Sequence, residues 1–178
     1  DGIGAVGELL LKQGIDLRAC KRHGHHRIAK WLHGKHFTIG DIAITFTHLF
    51  GVPSMGGVLH TLNIRLSQEN LIYIINHAED RIIFLDEDVF FLLEPVADRL
   101  KTVKLYVIMS QTGKMPQTKL APAVLYDDFI KGFPESYDFS VDRDENEPCL
   151  ICYTSATTGD PKGVVYSHRG LVLHTYSV

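Results

Sequence analysis

The sequence has few cysteines, no long apolar run and no excess of positive charge, and each shortage excludes a class of protein. Three cysteines among 178 residues cannot build the disulfide framework of a small secreted domain, which favours a reducing compartment. No apolar run reaches membrane-spanning length, and the chain does not open with a basic segment followed by an apolar core. We therefore expect a soluble, cytoplasmic protein without a transmembrane segment.

The charge balance excludes an obvious polyanionic partner. Eighteen lysines and arginines stand against 21 acids, a formal net charge of −3, so nothing indicates binding to nucleic acid. With 45% hydrophobic and 22% charged residues, the composition is that of a globular domain. The chain opens without methionine and stops at Val178 within an apolar pattern, which predicts that it is part of a longer protein.

The sequence also lacks the G-x-x-x-x-G-K-[ST] phosphate loop, yet residues 153–163 read YTSATTGDPKG and suit the same task. Hydroxyl groups and free backbone N–H groups donate to phosphate oxygens, glycines let the backbone approach closely, and a lysine supplies a point charge. The alternative without a binding function is an ordinary hairpin turn. It explains neither the lysine at position 162, directly after Pro161, nor the run of hydroxyl residues. The hydroxyl residues are Thr154, Ser155, Thr157 and Thr158.

Two other segments carry weaker signals for binding sites. The GIGAVG run from Gly2 has the glycine spacing of a dinucleotide-binding turn, but it lacks the preceding strand, and a frayed terminus explains it as well. A basic segment over 12–36 is rich in histidine, yet no acid or cysteine stands at ligand spacing and a glycine favours a loop. A solvated basic face is preferred to a metal site there. The histidines are His23, His25, His26, His33 and His36.

Three further residues have a structural and a functional interpretation. His60 could be catalytic, but a histidine hydrogen-bonded at a strand end is the preferred interpretation.

Cys149 and Cys152 have the spacing of a redox or zinc pair. On a strand, however, positions i and i+3 point to opposite faces, and the chain has no second pair. We therefore expect both cysteines to lie in the core.

Apolar periodicity predicts an α/β fold. Strands alternate with helices, which indicates βαβ units and a layered, mainly parallel sheet flanked by helices, with the candidate phosphate loop carried on a hairpin. The predicted elements are a short amphipathic helix over 28–32, a strand over 42–46, an apolar run over 58–63, a helix capped by Ser67 that runs to about Ala78, a strand over 81–85, a helix over 88–101 with Phe91, Leu92 and Val96 facing inward, a strand over 105–109, an exposed loop over 110–122, one or two helical turns over 126–131, and a strand over 150–154.

The loop also allows a family to be suggested. YTSATTGDPKGVVYSH resembles the YTSGTTGxPKGV signature of the adenylate-forming (AMP-binding) superfamily. GVLHTLNIRLSQENLIYIINHAEDRIIFLDED and LKTVKLYVIM are similar to the N-terminal region of bacterial medium- and long-chain fatty-acyl-CoA synthetases, and RIAKWLHGKHFTIGDIAI is similar to the helix and turn that open the family's first strand. The resemblance covers residues 27–178, a partial N-terminal adenylation domain, and leaves residues 1–26 unplaced.

The resemblance implies an AMP-forming acid–thiol ligase that uses ATP, Mg²⁺ and coenzyme A. A fatty acid or other carboxylate would attack the α-phosphate of ATP to give acyl-AMP and pyrophosphate, and coenzyme A would then displace AMP. Lys162 would be the catalytic charge, Thr154 would help to bind Mg²⁺, and Ser167 would cap the helix that follows. By the same resemblance, the ATP phosphates would be held by Thr154, Ser155, Ala156, Thr157, Thr158, Gly159 and Lys162.

Several departures from the family pattern qualify this expectation. Ala156 replaces the first loop glycine, and if that position needs a positive φ the alanine costs about 1 kcal/mol. Ile64 stands where the family usually has proline, and the chain between Asp41 and Leu59 is shorter than in relatives by about two helical turns. Later family segments, including most of the acyl pocket, are missing, so this piece alone is expected to be inactive. The rival hypothesis is a non-catalytic nucleotide- or protein-binding remnant, and pairing through the N-terminal region leaves a homodimer open.

Overall fold

The computed structural model describes residues 51–131, 144–154 and 159–177, together with the backbone of residues 27–32. Seven strands form one sheet: β1 Arg27–Leu32, β2 Val58–Leu62, β3 Ile82–Asp86, β4 Leu105–Met109, β5 Ala123–Leu125, β6 Pro148–Thr154 and β7 Lys162–Ser167. Three α-helices lie wholly within the described ranges: α1 Gln68–His77, α2 Tyr126–Ile130 and α3 His168–Tyr176. Residues 51–54 are also helical.

The sheet is mainly parallel, as the alternation of elements predicts. Its strand order is β5-β4-β3-β1-β2-β6-β7, and every neighbouring pair is parallel except β6 and β7. The antiparallel β6–β7 pair is the expected hairpin at one edge of the sheet. The α/β fold class is therefore confirmed, with the candidate loop placed where the parallel part of the sheet ends.

Apolar residues cover both faces of the sheet. Along β3, Ile83 and Leu85 belong to the core cluster that packs against α1, whereas Ile82 and Phe84 belong to a second cluster on the opposite face. All four side chains are at most 4% exposed. A strand buried on both faces has no polar alternation, which explains why β3 and β4 appear in the sequence as continuous apolar runs.

The predicted helix after Ser67 is confirmed as α1. The Ser67 hydroxyl accepts a hydrogen bond from the Asn70 N–H at 3.3 Å, and Glu69 lies in the first turn, where a negative charge complements the helix dipole. Four residues of its apolar stripe are buried against the sheet: Leu71, Ile72, Ile74 and Ile75.

The prediction of one helix over 88–101 is wrong. This segment forms two short 3₁₀ helices, Phe90–Leu92 and Glu94–Arg99. Pro95 is the second residue of the second 3₁₀ helix. It has no N–H to donate to a carbonyl of the preceding turn, so an α-helix cannot run through the segment. Phe91 consequently points outward and is 57% exposed, Leu92 is half-buried, and only Val96 faces inward as expected.

The second 3₁₀ helix is tied to α1 by polar contacts. The Arg99 guanidinium donates two hydrogen bonds of 2.7 Å to the Glu69 carboxylate, and these hold the pKa of Glu69 below its ordinary value. The Asn76 side chain donates to the Arg99 carbonyl and accepts from the Lys101 N–H, each at 2.9 Å. These contacts fix the outer surface of α1 while its apolar stripe faces the sheet.

The prediction of a helix over 28–32 is also wrong, because Arg27–Leu32 forms β1 at the centre of the sheet. It pairs in parallel with β2 on one side and with β3 on the other. Five residues span less than two helical turns, so the spacing of apolar residues cannot separate helix from strand over so short a run. Pairing with two neighbouring strands decides the conformation here.

Three predicted features lie outside the described residues: the glycine run from Gly2, the five histidines over 23–36 and the strand over 42–46. Within the described ranges, no helix is long and apolar enough to cross a bilayer. The loop over 110–122 is largely exposed, as predicted, although Leu120 is buried. The predicted strands over 81–85 and 105–109 are present as β3 and β4.

Candidate functional site

A cleft of about 340 Å³ opens at the carboxyl ends of β2 and β6. From β2 the chain continues to β3, on the far side of β1, whereas from β6 it turns outward to β7. Two neighbouring strands whose connections leave in opposite directions create a crevice, the usual ligand site of an open α/β sheet. The lining residues are Thr61, Leu62, Asn63, Leu66, Ile74, Cys152, Tyr153, Thr154 and Pro161.

The candidate phosphate loop joins β6 to β7 at the mouth of this cleft. Thr154 ends β6 and lies directly opposite Lys162, the first residue of β7. The Thr154 hydroxyl donates a hydrogen bond to the Lys162 carbonyl at 3.4 Å, and both residues are exposed. The Thr154 hydroxyl and the Lys162 ammonium group therefore belong to paired residues at the loop end of one hairpin.

The structure describes three of the seven predicted loop residues. Gly159 has a φ of +91°, a conformation that glycine adopts at little cost. Pro161 is buried against the cleft, which fixes the chain immediately before Lys162. The other predicted positions lie outside the described residues: Ser155, Ala156, Thr157 and Thr158.

Beneath the hairpin lies a buried histidine–aspartate pair. His60 on β2 is 1% exposed, and its Nδ1 lies 3.2 Å from Oδ1 of Asp80, which is 3% exposed. The His60 ring stacks on Tyr153, with centroids 4.8 Å apart and an interplanar angle of 19°. The expectation of a hydrogen-bonded histidine is confirmed, and its partner is a carboxylate beyond the end of α1.

Tyr153 connects this pair to the last turn of α1. Its hydroxyl lies within hydrogen-bonding distance of Nδ1 of His77, at 2.7 Å. On the opposite side of the hairpin, a Cβ added to Gly163 would approach the Tyr153 ring to 3.1 Å and Ile151 to 3.3 Å. Tyr153 thus occupies space that only a glycine at position 163 leaves open.

The helix after β7 begins as predicted. Ser167 is the N-cap of α3, and its hydroxyl accepts a hydrogen bond from the Gly170 N–H at 3.1 Å. The turn before β6 holds the same helix end, since the Glu145 carbonyl accepts from the Arg169 N–H at 2.8 Å. The outer ends of β6 and β7 are therefore closed by α3 and this turn, opposite the candidate loop.

A family model described as "AMP-binding enzyme" matches residues 42–178, which is most of the chain and includes the whole hairpin. The chain belongs to the AMP-binding enzyme family. Residues 1–41 lie outside the match.

Curated relatives of this AMP-binding chain are CoA ligases. It is 44% identical over 145 residues to a long-chain-fatty-acid–CoA ligase of Thermus thermophilus, covering 77% of this chain and 25% of that protein. It is 40% identical over 126 residues to a medium-chain-fatty-acid–CoA ligase of Ectopseudomonas oleovorans (71% and 23%), and 43% identical over 127 residues to a 3-methylmercaptopropionyl-CoA ligase of Ruegeria pomeroyi (71% and 23%). The chain spans about a quarter of the length of these relatives.

Solved structures share the fold of this AMP-binding chain. The anthranilate CoA ligase AuaEII in complex with anthranoyl-AMP matches with a TM-score of 0.69 at 21% identity, covering 94% of this chain and 28% of that one. Apo MatB from Rhodopseudomonas palustris matches with a TM-score of 0.63 at 21% identity, covering 99% and 30%. The layered sheet described above thus has the fold of part of these solved chains.

The cysteines of this AMP-binding family member differ from the prediction in one respect. Cys149 is buried as expected, its Sγ donates to the Tyr166 carbonyl at 3.3 Å, and burial raises the pKa of its thiol. Cys152 is instead half-exposed, lines the cleft, and lies 3.6 Å from the Thr61 hydroxyl. A residue near the carboxyl end of a strand borders the cleft, which explains why Cys149 is a core residue and Cys152 is not.

Sequence reasoning missed the polar residues that other elements bring to the cleft. Thr61 and Asn63 follow the apolar start of β2 and line the wall opposite the hairpin. His77 belongs to the last turn of α1 and contacts Tyr153. The polar residues at the carboxyl end of β2 could have identified Thr61 and Asn63 as candidate site residues. No local sequence pattern predicts that His77 contacts a residue 76 positions away.

Gly163→Ala is expected to destabilise this AMP-binding domain by about 1 kcal/mol, because the new methyl group meets a ring that stacking and a hydrogen bond hold in place. Gly51→Ala is the control, since a Cβ there meets nothing within 4 Å and alanine favours the helical conformation of residues 51–54. Thermal unfolding of both variants measures the difference. Equal stability of Gly163→Ala and the wild type would show that Tyr153 can shift aside.

Proposed function

We propose that this chain is the phosphate-holding N-terminal part of an AMP-forming acyl-CoA ligase. In the first half-reaction a carboxylate attacks the α-phosphate of ATP, giving acyl-AMP and pyrophosphate, and in the second the thiol of coenzyme A displaces AMP. The observation that carries the proposal is the pairing of Thr154 with Lys162 at the mouth of the β2–β6 cleft. The similarity to CoA ligases supports it.

The proposed task of the loop is to hold the β- and γ-phosphates. As the bond to the α-phosphate breaks, negative charge accumulates on the leaving pyrophosphate, and fixed donors stabilise that charge without reorganising. Lys162 would supply the cationic group, and Gly159 would allow the backbone to approach the phosphates. Ser155, Ala156, Thr157 and Thr158 would complete the loop between them.

The donor set of the hairpin fits Mg²⁺ held jointly with a nucleotide. Mg²⁺ prefers hard oxygen ligands and is usually bound by one or two protein groups together with substrate phosphates. Thr154 donates its hydroxyl proton to the Lys162 carbonyl, so the oxygen lone pairs point away from that bond. In the part of the chain that the structure describes, no three acidic, histidine or cysteine side chains cluster as a complete metal cage. Thr154 is therefore proposed as one ligand, with the phosphates supplying others.

The proposed carboxylate substrate is a fatty acid. Two relatives are named as medium-chain and long-chain fatty-acid ligases, and a third as a ligase that forms 3-methylmercaptopropionyl-CoA. These names share an aliphatic carboxylate, which supports an aliphatic acid as the substrate class.

The test is a ligase assay on the longest translated form of the protein, with ATP, Mg²⁺, coenzyme A and straight-chain acids of graded length. We expect acyl-CoA, AMP and pyrophosphate to form in equal amounts. The segment of 178 residues by itself is expected to bind ATP without completing the reaction. ATP binding without pyrophosphate release by the long form would favour a nucleotide-binding remnant, and no ATP binding would overturn the proposal.

A further inference from the structure

The aromatic ring of Tyr153 is held on two sides by residues from other elements. One face stacks on the ring of His60, at a centroid distance of 4.8 Å, and the hydroxyl reaches Nδ1 of His77 at 2.7 Å. The ring of His77 also stacks on Tyr73, with centroids 5.2 Å apart. Tyr153 therefore joins β6 to both β2 and α1, immediately before the candidate loop.

The residues that hold Tyr153 are themselves anchored in the core. His60 is 1% exposed and lies 3.2 Å from the Asp80 carboxylate, and the Asp80 N–H donates to the Ile75 carbonyl at 3.1 Å. His77 belongs to α1, whose apolar stripe is buried against the sheet. A side chain fixed by such neighbours has little freedom to shift, because packed interiors resist displacement.

The anchored ring sets the position of the loop through the backbone. Tyr153 precedes Thr154 directly and is paired with Gly163, while Thr154 is paired with Lys162. The Tyr153 ring also lies close to the Gly163 backbone. Any movement of this ring therefore moves the two strand ends from which the loop starts and finishes.

We infer that Tyr153, held by His77 and His60, is a positioning residue for the phosphate loop, and that its hydroxyl, bound to His77, tunes ATP affinity through the position of the loop. The inference rests on the proposed function. A role in stability alone is the competing explanation. The Tyr153–His77 hydrogen bond is partly exposed to water, since His77 is exposed and Tyr153 is half-buried, and such a bond contributes modestly to global stability.

Tyr153→Phe keeps the ring and removes the contact to His77, and His77→Ala removes the other partner. In the longest translated form of the protein, we expect each variant to raise the KM for ATP about threefold to tenfold, the range of one lost hydrogen bond, with a smaller change in the KM for the carboxylate. His77→Asn, whose amide can occupy the place of Nδ1, should restore most of the affinity. The Tyr153→Phe/His77→Ala double variant should be no worse than either single variant.

Ile108→Val is the matched control for stability. Ile108 is fully buried on β4, away from the hairpin, and the loss of one core methyl group lowers stability by a comparable amount. Ile108→Val should lower Tm and leave the KM for ATP unchanged. If Tyr153→Phe lowers Tm as much as Ile108→Val and leaves the KM for ATP at the wild-type value, the residue is only structural and the inference is overturned.

Lys162→Ala separates this inference from the proposed function. When Lys162→Ala weakens ATP use and Tyr153→Phe does not, the positioning role alone is wrong. When neither substitution changes the use of ATP, the loop is not the phosphate site, and both the proposed function and the inference are wrong. An increase in the KM for ATP in both variants, with rescue by His77→Asn, supports both.

Discussion

Lys162→Ala is expected to weaken ATP binding by about tenfold to a hundredfold, the largest effect predicted for a single substitution in the hairpin. A hydrogen bond between charged groups contributes more than one between neutral groups, about 1.5–3 kcal/mol. Lys162 lies at the start of β7, is exposed and is paired with Thr154, so its ammonium group can reach an anion at the cleft mouth. Isothermal calorimetry with ATP measures the change.

Lys114→Ala is the matched control for the loss of a positive charge. Lys114 is an exposed lysine of the β4–β5 connection, at the other edge of the sheet from the hairpin. Its removal changes the net charge by the same amount and should leave the affinity unchanged. Lys162→Arg should retain part of the binding, because the charge remains while the geometry differs. An affinity for ATP that is the same in Lys162→Ala and in the wild type would remove the loop from the proposed site.

Asp80→Ala is expected to lower the free energy of unfolding by about 2–4 kcal/mol. Removing one member of a buried polar pair costs more than the pair contributes, since the remaining group has lost its partner away from water. Asp80 is 3% exposed and faces His60, which is 1% exposed. Because His60 also stacks on Tyr153, the variant should lose ATP affinity as well as stability. Urea unfolding gives the first quantity and calorimetry the second.

Asp88→Ala provides the comparison for Asp80. Asp88 is exposed and follows β3 by two residues, just as Asp80 precedes it by two, and an exposed acid of this kind should change stability by less than about 0.5 kcal/mol. Asp80→Asn keeps the volume and one acceptor oxygen, so we expect an intermediate loss. If Asp80→Ala and Asp88→Ala unfold at the same urea concentration, the His60–Asp80 pair does not stabilise the fold.

The elements predicted correctly are those whose signals are local and strong. Ser67, Glu69 and the apolar stripe of α1 are encoded within a dozen positions, so the cap and the buried face could both be predicted. The apolar runs of β3 and β4 are short and flanked by polar residues, and they form strands buried on both faces. The β6–β7 hairpin follows from two apolar runs separated by turn residues.

The elements predicted wrongly depend on partners distant in sequence or on one interrupting residue. The run over 28–32 is too short for its period to be informative, and pairing with β2 and β3 makes it a strand. Pro95, within the second 3₁₀ helix, prevents one α-helix from running over 88–101, and Phe91 lies outside the core as a result. Cys152 borders the cleft because β6 ends there, which its spacing from Cys149 does not encode.

The sequence alone was enough to place the hydroxyls, Gly159 and Lys162 in one loop and to suggest the family, because these features are contiguous in the chain. The cleft could be located only in the tertiary structure, since β2 and β6 are separated by 91 residues between Thr61 and Cys152. The same is true of the His60–Asp80 pair and of the contact between Tyr153 and His77. Side chains from distant segments come into contact only when the sheet has assembled, so their spacing in the sequence does not predict these contacts.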